Sequence, residues 1–173
     1  MRRNQPLASL MLGMAGAIAS ASVAHADCSG FKWPLDTELA WLAAGGDVAL
    51  KSGGELSPVP AKAIALALKP SNTVTMPVTA GIKEQAIGAD TFSGWFTIPA
   101  GVKPGLYQIS ISARAWIDVV QGGALVPSKG FSGRQECQAI SKSVRFDLGP
   151  GPVTVQISGA PADSVRVTLN AAK

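Results

Sequence analysis

The sequence predicts an all-β protein: a single-domain antiparallel β-sandwich, jelly-roll-like, with one short N-terminal helix. Three observations predict it. Short apolar runs alternate with a period of two, the signature of strands with one face in a core. Glycine and proline, 19 and 12 of them, punctuate those runs as turns. No long amphipathic helical window falls between the runs, so a βαβ alternation lacks its helices. Seven or eight short strands spaced in this way fit a sandwich or jelly roll.

Residues 1–26 precede that domain and have the build of a secretory signal peptide. Arg2 and Arg3 form a positive start, 7–23 is apolar, and Ala24-His25-Ala26 is a small-x-small cleavage site. A cut after Ala26 leaves 27–173 as one domain, long enough to bury a core. The whole chain carries a formal charge of +4, and loss of Arg2 and Arg3 brings it to about +2. No Lys/Arg run exceeds two residues, which argues against nucleic acid as a partner. No stretch after Ala26 is long and apolar enough to span a bilayer, so the processed protein is expected to be periplasmic or secreted.

The elements follow in order. Residues 27–34 read as an extended lead-in pinned by Cys28. Residues 35–44 read as a helix, capped by Asp36 or Thr37, with Leu35, Leu39 and Leu42 on one face and Gly45-Gly46 ending it. Residues 53–60 form a turn region. In 61–68, Ile64, Leu66 and Leu68 share a face, and Pro70 ends the run; 72–77 is a shorter strand candidate. Residues 91–98 place Phe92, Gly94, Phe96 and Ile98 on one face and Trp95 on the other. After the turn at 99–105, the run 106–112 aligns Tyr107, Ile109 and Ile111. In 114–120, Ala115, Ile117 and Val119 oppose Arg114, Trp116, Asp118 and Val120, and Gly122-Gly123 is a hairpin signal. Residues 121–139 are the least regular part and read as a long loop. Val144, Phe146 and Leu148 then face inward with Arg145 and Asp147 outward; 153–157 and 165–169 are the last strands.

Two cysteines, Cys28 and Cys137, remain after processing, and an isolated pair in an oxidising compartment is expected to form a disulfide. A bridge closing a loop on the order of 100 residues contributes about 4–5 kcal/mol in the chain-entropy model.

The chain has a single histidine, His25, and it lies in the segment expected to leave. Its removal takes away the commonest general base, Ser-His and Cys-His pairs, and a two-histidine iron site. No metal-binding loop or Cys/His cluster is visible, and no cofactor or metal is expected. Ser29 and Lys32 match the S-x-x-K spacing of a serine nucleophile with a lysine base, but outside any helical signal. Asp118 and Asp147 lie on strands that read as neighbours, each beside an arginine, Arg114 and Arg145. They are candidates for a carboxylate pair or, more plainly, for cross-strand ion pairs; Asp118 is also placed to hold a backbone turn. Among Trp33, Trp41, Trp95 and Trp116, the indoles of Trp95 and Trp116 are the better candidates for a ligand surface.

Several segments carry a resemblance: GWFTIPAG at 94–101, GLYQISI at 105–111, AWIDVV at 115–120 followed by Gly123, CQAISKSVRFDL at 137–148, VQISG at 155–159 and the opening CSGFKW at 28–33. Together they resemble a group of small uncharacterised exported proteins of proteobacteria. That resemblance implies an envelope location and nothing catalytic. More loosely, Gly105, Tyr107 and Ile109 followed by Trp116 and Asp118 are similar to the G-x-Y-x-[IV] and W-x-D strands of pre-peptidase C-terminal type β-sandwich modules. Those modules accompany secreted enzymes, and the likeness implies binding or assistance without cleavage.

The expected function is therefore a non-catalytic binding or structural module of the cell envelope, recognising a glycan or another envelope protein. Its candidate ligand residues are Trp95, Trp116, Asp118, Arg145 and Asp147. The alternative is a small hydrolase using carboxylates or the Ser29–Lys32 pair.

Overall fold

The computed structural model describes residues 28–83 and 86–173. The expected signal segment 1–26, with His25 and the cut after Ala26, lies outside the described residues. The rest is a β-sandwich with one short helix. The elements are α1 (Asp36–Ala44), β1 (Val48–Lys51), β2 (Gly54–Glu55), β3 (Ile64–Ala67), β4 (Lys69–Pro70), β5 (Phe92–Ile98) and β6 (Gly105–Ile111). They continue with β7 (Trp116–Gln121), β8 (Ala124–Leu125), β9 (Ser128–Gly133), β10 (Lys142–Leu148), β11 (Val153–Ala160) and β12 (Ser164–Ala171).

One sheet runs β1-β3-β12-β6-β10-β9, the other β2-β5-β11-β7-β8 with β4 beside β5. Period-2 alternation decides which side chains enter the space between them. Phe96 and Ile98, Ile109 and Ile111, Ile117 and Val119, Phe146 and Leu148, Val155 and Ile157, and Val167 and Leu169 form the central core. For β5, β6, β7 and β10 these are the inward faces read from the sequence; β11 and β12 were expected there as strands.

The sheets are mixed rather than antiparallel throughout. β1 runs parallel to β3, and β2 parallel to β5. Both parallel strands lie near the N-terminus, in stretches too short to show alternation. The strand expected at 72–77 is not formed; β4 pairs Lys69 and Pro70 with Ser93 and Phe92 instead. The long loop expected at 121–139 contains two strands, β8 and β9. Gly122 and Gly123 turn the β7–β8 hairpin with φ of 58° and 79°, values that favour glycine.

Both outer faces are covered. On the first sheet, α1 and residues 28–35 pack a second small core of Leu35, Leu42, Ala63, Cys137 and Ile140. The Cys28–Cys137 disulfide closes it, with Cα atoms 4.7 Å apart. Neither Asp36 nor Thr37 caps α1: the N-cap is Leu35, with no side-chain hydrogen bond. Buried Glu38 accepts instead from Gln108 Nε2 at 2.6 Å, drawing the helix onto β6. On the second sheet, the irregular stretch after β4 lies across buried polar side chains. Gln156 bonds both the N–H and the C=O of Val78, and Asp118 accepts from the Gly81 N–H. Gln156 and Asp118 thereby gain backbone partners, which offsets the desolvation penalty of burying them.

Candidate functional site

The β7–β8 ladder covers only Val120↔Leu125 and Gln121↔Ala124. The Val126 N–H extends it by one bond, to Val119 O. Residues 116–118 begin β7 beyond that cover, so the sandwich has a mouth between β7 on one sheet and β9 and β10 on the other.

A cavity of about 310 Å³ sits in this mouth, its walls including Ile117, Leu125, Val144 and Phe146, with Trp116 and Phe131 towards solvent. Ile117, Val144 and Phe146 belong to the central core, so the floor is apolar. A second, more open groove of about 560 Å³ lies alongside, bordered by Arg114, Arg134, Gln135 and Ser141. Trp116 and Lys142 border both.

Lys142 occupies an inward position of β10, in the same alternation as Val144 and Phe146. Its stem lies among apolar neighbours and its Nζ reaches across the mouth to donate to Ala115 O at 2.8 Å. The ammonium also lies 5.2 Å from the centroid of the Trp116 ring. Burial, and then the nearby Arg114 charge, hold its pKa below the ordinary lysine value. Among the described residues the ion pair within 4.0 Å is Arg166–Asp47, so Arg114, Arg134 and Lys142 meet no described carboxylate at that range.

Trp116 retains 37 % of its surface, and Phe131 on edge strand β9 retains 61 %. The Trp116 Nε1–H donates to Asp118 Oδ1 at 2.9 Å, which fixes the indole plane. Arg134 is held from behind. Its Nε donates to Gly30 O at 2.6 Å, and a Cβ on Gly30 would stand 2.1 Å from the guanidinium. Glycine at position 30 is what lets the arginine lie flat against the disulfide-anchored lead-in.

The structure thus brings Trp116 and Asp118 to one site and sends the other predicted residues elsewhere. Asp118 and Asp147 are not on neighbouring strands: β7 and β10 belong to different sheets. Neither forms the expected ion pair with an arginine within 4.0 Å. Asp118 spends both oxygens on Trp116 and Gly81, and Asp147 is exposed. Arg145 donates to Gln108 Oε1 at 3.1 Å and stacks 4.5 Å over Trp33, fastening the lead-in to β10. Trp95 faces outward as expected, but its Nε1–H is taken by Thr75 O at 3.2 Å. Ser29 and Lys32 lie in a turn and bend rather than on a helix, so their spacing does not stack them one turn apart. The Lys32 ammonium lies 5.3 Å from the Phe131 ring.

Sequence reasoning passed over Lys142 and Phe131. A signal for Lys142 was present: Lys142, Val144, Phe146 and Leu148 form one alternating series, and a lysine that opens an inward series marks the rim of a core. Phe131 carries no such signal in its Gly/Ser-rich run. No protein-family model and no curated protein matches the chain.

Proposed function

We propose that the chain is an exported, non-catalytic binding module of the cell envelope that holds its ligand against Trp116 at the mouth of the sandwich. The half-exposed indole between two cavities carries this reading. Its orientation is set in advance by Asp118, so little ordering is lost on binding. Aromatic walls, an apolar floor and a few convergent polar groups are the usual make-up of a ligand pocket. The Cys28–Cys137 disulfide, and the absence among the described residues of a helix long and apolar enough to cross a membrane, are compatible with export. Support for a non-catalytic role comes from Asp118, whose two oxygens serve as structural acceptors, and from its separation from Asp147 onto another sheet.

The fold reading extends to a jelly roll. The order β3-β12-β6-β10 facing β5-β11-β7-β8 supports it: apart from the β7–β8 hairpin, successive strands of this set cross from one sheet to the other, as the paired Greek keys of a jelly roll do. Lectin domains use this architecture, which is a fold-level analogy in favour of a binding role.

The test is a titration of purified protein with a saccharide and amphiphile panel, read by tryptophan emission. A saturable change that disappears in Trp116→Phe is expected. A saturable change that persists in that variant would move the site away from the mouth. A second reading is supported by Phe131, exposed on β9 at the sheet edge: an extended segment of another envelope protein pairing there. Loss of such a partner in Phe131→Asp, with ligand titration unchanged, would favour it.

A further inference from the structure

The two cavities at Trp116 differ in chemistry and meet at one side chain. The inner one is floored by core residues of both sheets; the outer one is bordered by arginines. Lys142 stands at the boundary, with its stem on the apolar side and its ammonium on the cationic side. An inward lysine is costly to a sandwich unless something compensates its charge. Here one carbonyl and one ring face do so in part, and the Arg114 charge repels it. Arg134 is braced into the same groove by Gly30.

We propose that the site takes an anionic amphiphile, its aliphatic tail between the sheets against Ile117, Val144 and Phe146 and its head group among Lys142, Arg114 and Arg134. This rests on the reading of the Trp116 mouth as the binding site. The inner cavity, about 310 Å³, lies within the size range of small-ligand pockets. A sugar ring on the Ile117, Val144 and Phe146 floor would lose water from its hydroxyls to side chains that cannot replace those hydrogen bonds, and Asp118, which also lines the cavity, already has both oxygens engaged. A hydrocarbon tail loses nothing by that exchange and covers apolar surface. The head group then meets three cations without described carboxylate partners, and arginine's planar fork suits either a carboxylate or a phosphate. A fatty carboxylate and a lipid phosphate share this chemistry, and the probes below separate them.

Purified protein is titrated calorimetrically with decanoate, decyl phosphate, 1-decanol and glucuronate, each below any micelle-forming concentration. Decanoate or decyl phosphate, or both, are expected to bind about tenfold or more tighter than decanol, with glucuronate weaker still. Whichever of the two binds better names the head group. Lys142→Met is expected to weaken the anionic probes about tenfold and leave decanol unchanged. Leu125→Trp, which places an indole in the inner cavity, is expected to abolish binding of every decyl probe; circular dichroism establishes that the variant is folded. Should Leu125→Trp prove unfolded, Val126→Phe serves the same purpose. Decanol binding as tightly as decanoate would overturn the role of the cations. Glucuronate binding as tightly as decanoate, with no effect of the filled cavity, would overturn the tail and leave the Trp116 site standing. Heat from none of the four overturns the amphiphile; if Trp116 emission is also unmoved by the saccharide panel, the site itself falls.

Discussion

Trp116 and Asp118 face the same way from β7, and the indole Nε1–H donates to the carboxylate at 2.9 Å. The other Asp118 oxygen accepts from the Gly81 N–H at 2.8 Å. One buried carboxylate therefore sets the angle of the exposed ring and ties the covering segment to the sheet. Replacing Asp118 with alanine leaves two donors without their acceptor and is expected to cost about 2–3 kcal/mol. Asp118→Asn retains one acceptor and should cost less. Urea denaturation of the two variants measures both values; equal stability of Asp118→Ala and wild type would mean the tether contributes nothing.

The Trp116 ring keeps 37 % of its surface exposed. Truncating a fully buried tryptophan costs about 3–5 kcal/mol, so Trp116→Ala should fall well below that, at about 1–2 kcal/mol. A loss of the larger size would show the ring acting chiefly as core.

The disulfide spans 109 residues and its Cys137 end is buried in the small core beneath α1. Cys137→Ser is expected to lower stability by as much as about 4–5 kcal/mol, the limit set by loop entropy. A clear fall in melting temperature is the expected reading. An unchanged value would show that the packing of α1 and the lead-in holds without the link.

Arg166 on β12 donates to both Asp47 oxygens, at 2.5 and 2.6 Å, and to Leu42 O at the end of α1 at 2.8 Å. The hydrogen bond from Arg166 holds the Asp47 pKa below the ordinary aspartate value of 3.8. A carboxylate with a depressed folded pKa binds protons less readily than in the unfolded chain. Its stabilisation is complete above 3.8 and is lost as pH falls through the folded value. The pair is partly exposed, so the effect should be about 1 kcal/mol. Asp47→Asn is expected to be less stable at neutral pH and to lose less on acidification; parallel acid-unfolding curves would contradict this.

Lys142 has the opposite sign of linkage. Its folded pKa is lowered from 10.5, chiefly by burial. At neutral pH both states are protonated and the native state bears the full desolvation cost. As pH rises towards 10.5 the native lysine loses its proton first and the cost is relieved. Lys142→Met should therefore be more stable than wild type at neutral pH, by about 0.5–1 kcal/mol, with the difference shrinking as pH rises. Thermal unfolding at several pH values checks both parts. A less stable variant would show that the Ala115 carbonyl and the indole face outweigh burial.

How far the sequence could be read depended on whether each strand had one face in the core. β5, β6, β7, β10, β11 and β12 do; alternation placed the apolar inward residues Phe96, Ile98, Ile109, Ile111, Ile117, Val119, Val144, Phe146 and Leu148, and it marked 153–157 and 165–169 as strands. β9 runs along a sheet edge as Ser-Lys-Gly-Phe-Ser-Gly, and no hydrophobic period marks it. β1 and β2 pair in parallel with strands beyond a turn, a relation that local pattern does not encode. The helix was visible from its apolar face and its glycine stop, but its expected Asp36 or Thr37 cap is not made, because a buried Glu38–Gln108 bond holds the first turns in place of a side-chain cap.

Alternation by itself determined which side chains meet in the core, and the lone cysteine pair determined which two points of the chain are bridged. Both follow from local rules: a strand offers only two faces, and two thiols allow only one partner each. Which sheet each strand joined, and so which polar residues share a site, was decided by the three-dimensional packing. That packing put Asp118 and Asp147 on opposite sheets and carried Lys142 to Trp116. Strand pairing is a long-range agreement of register and edge, and no short stretch of residues records it.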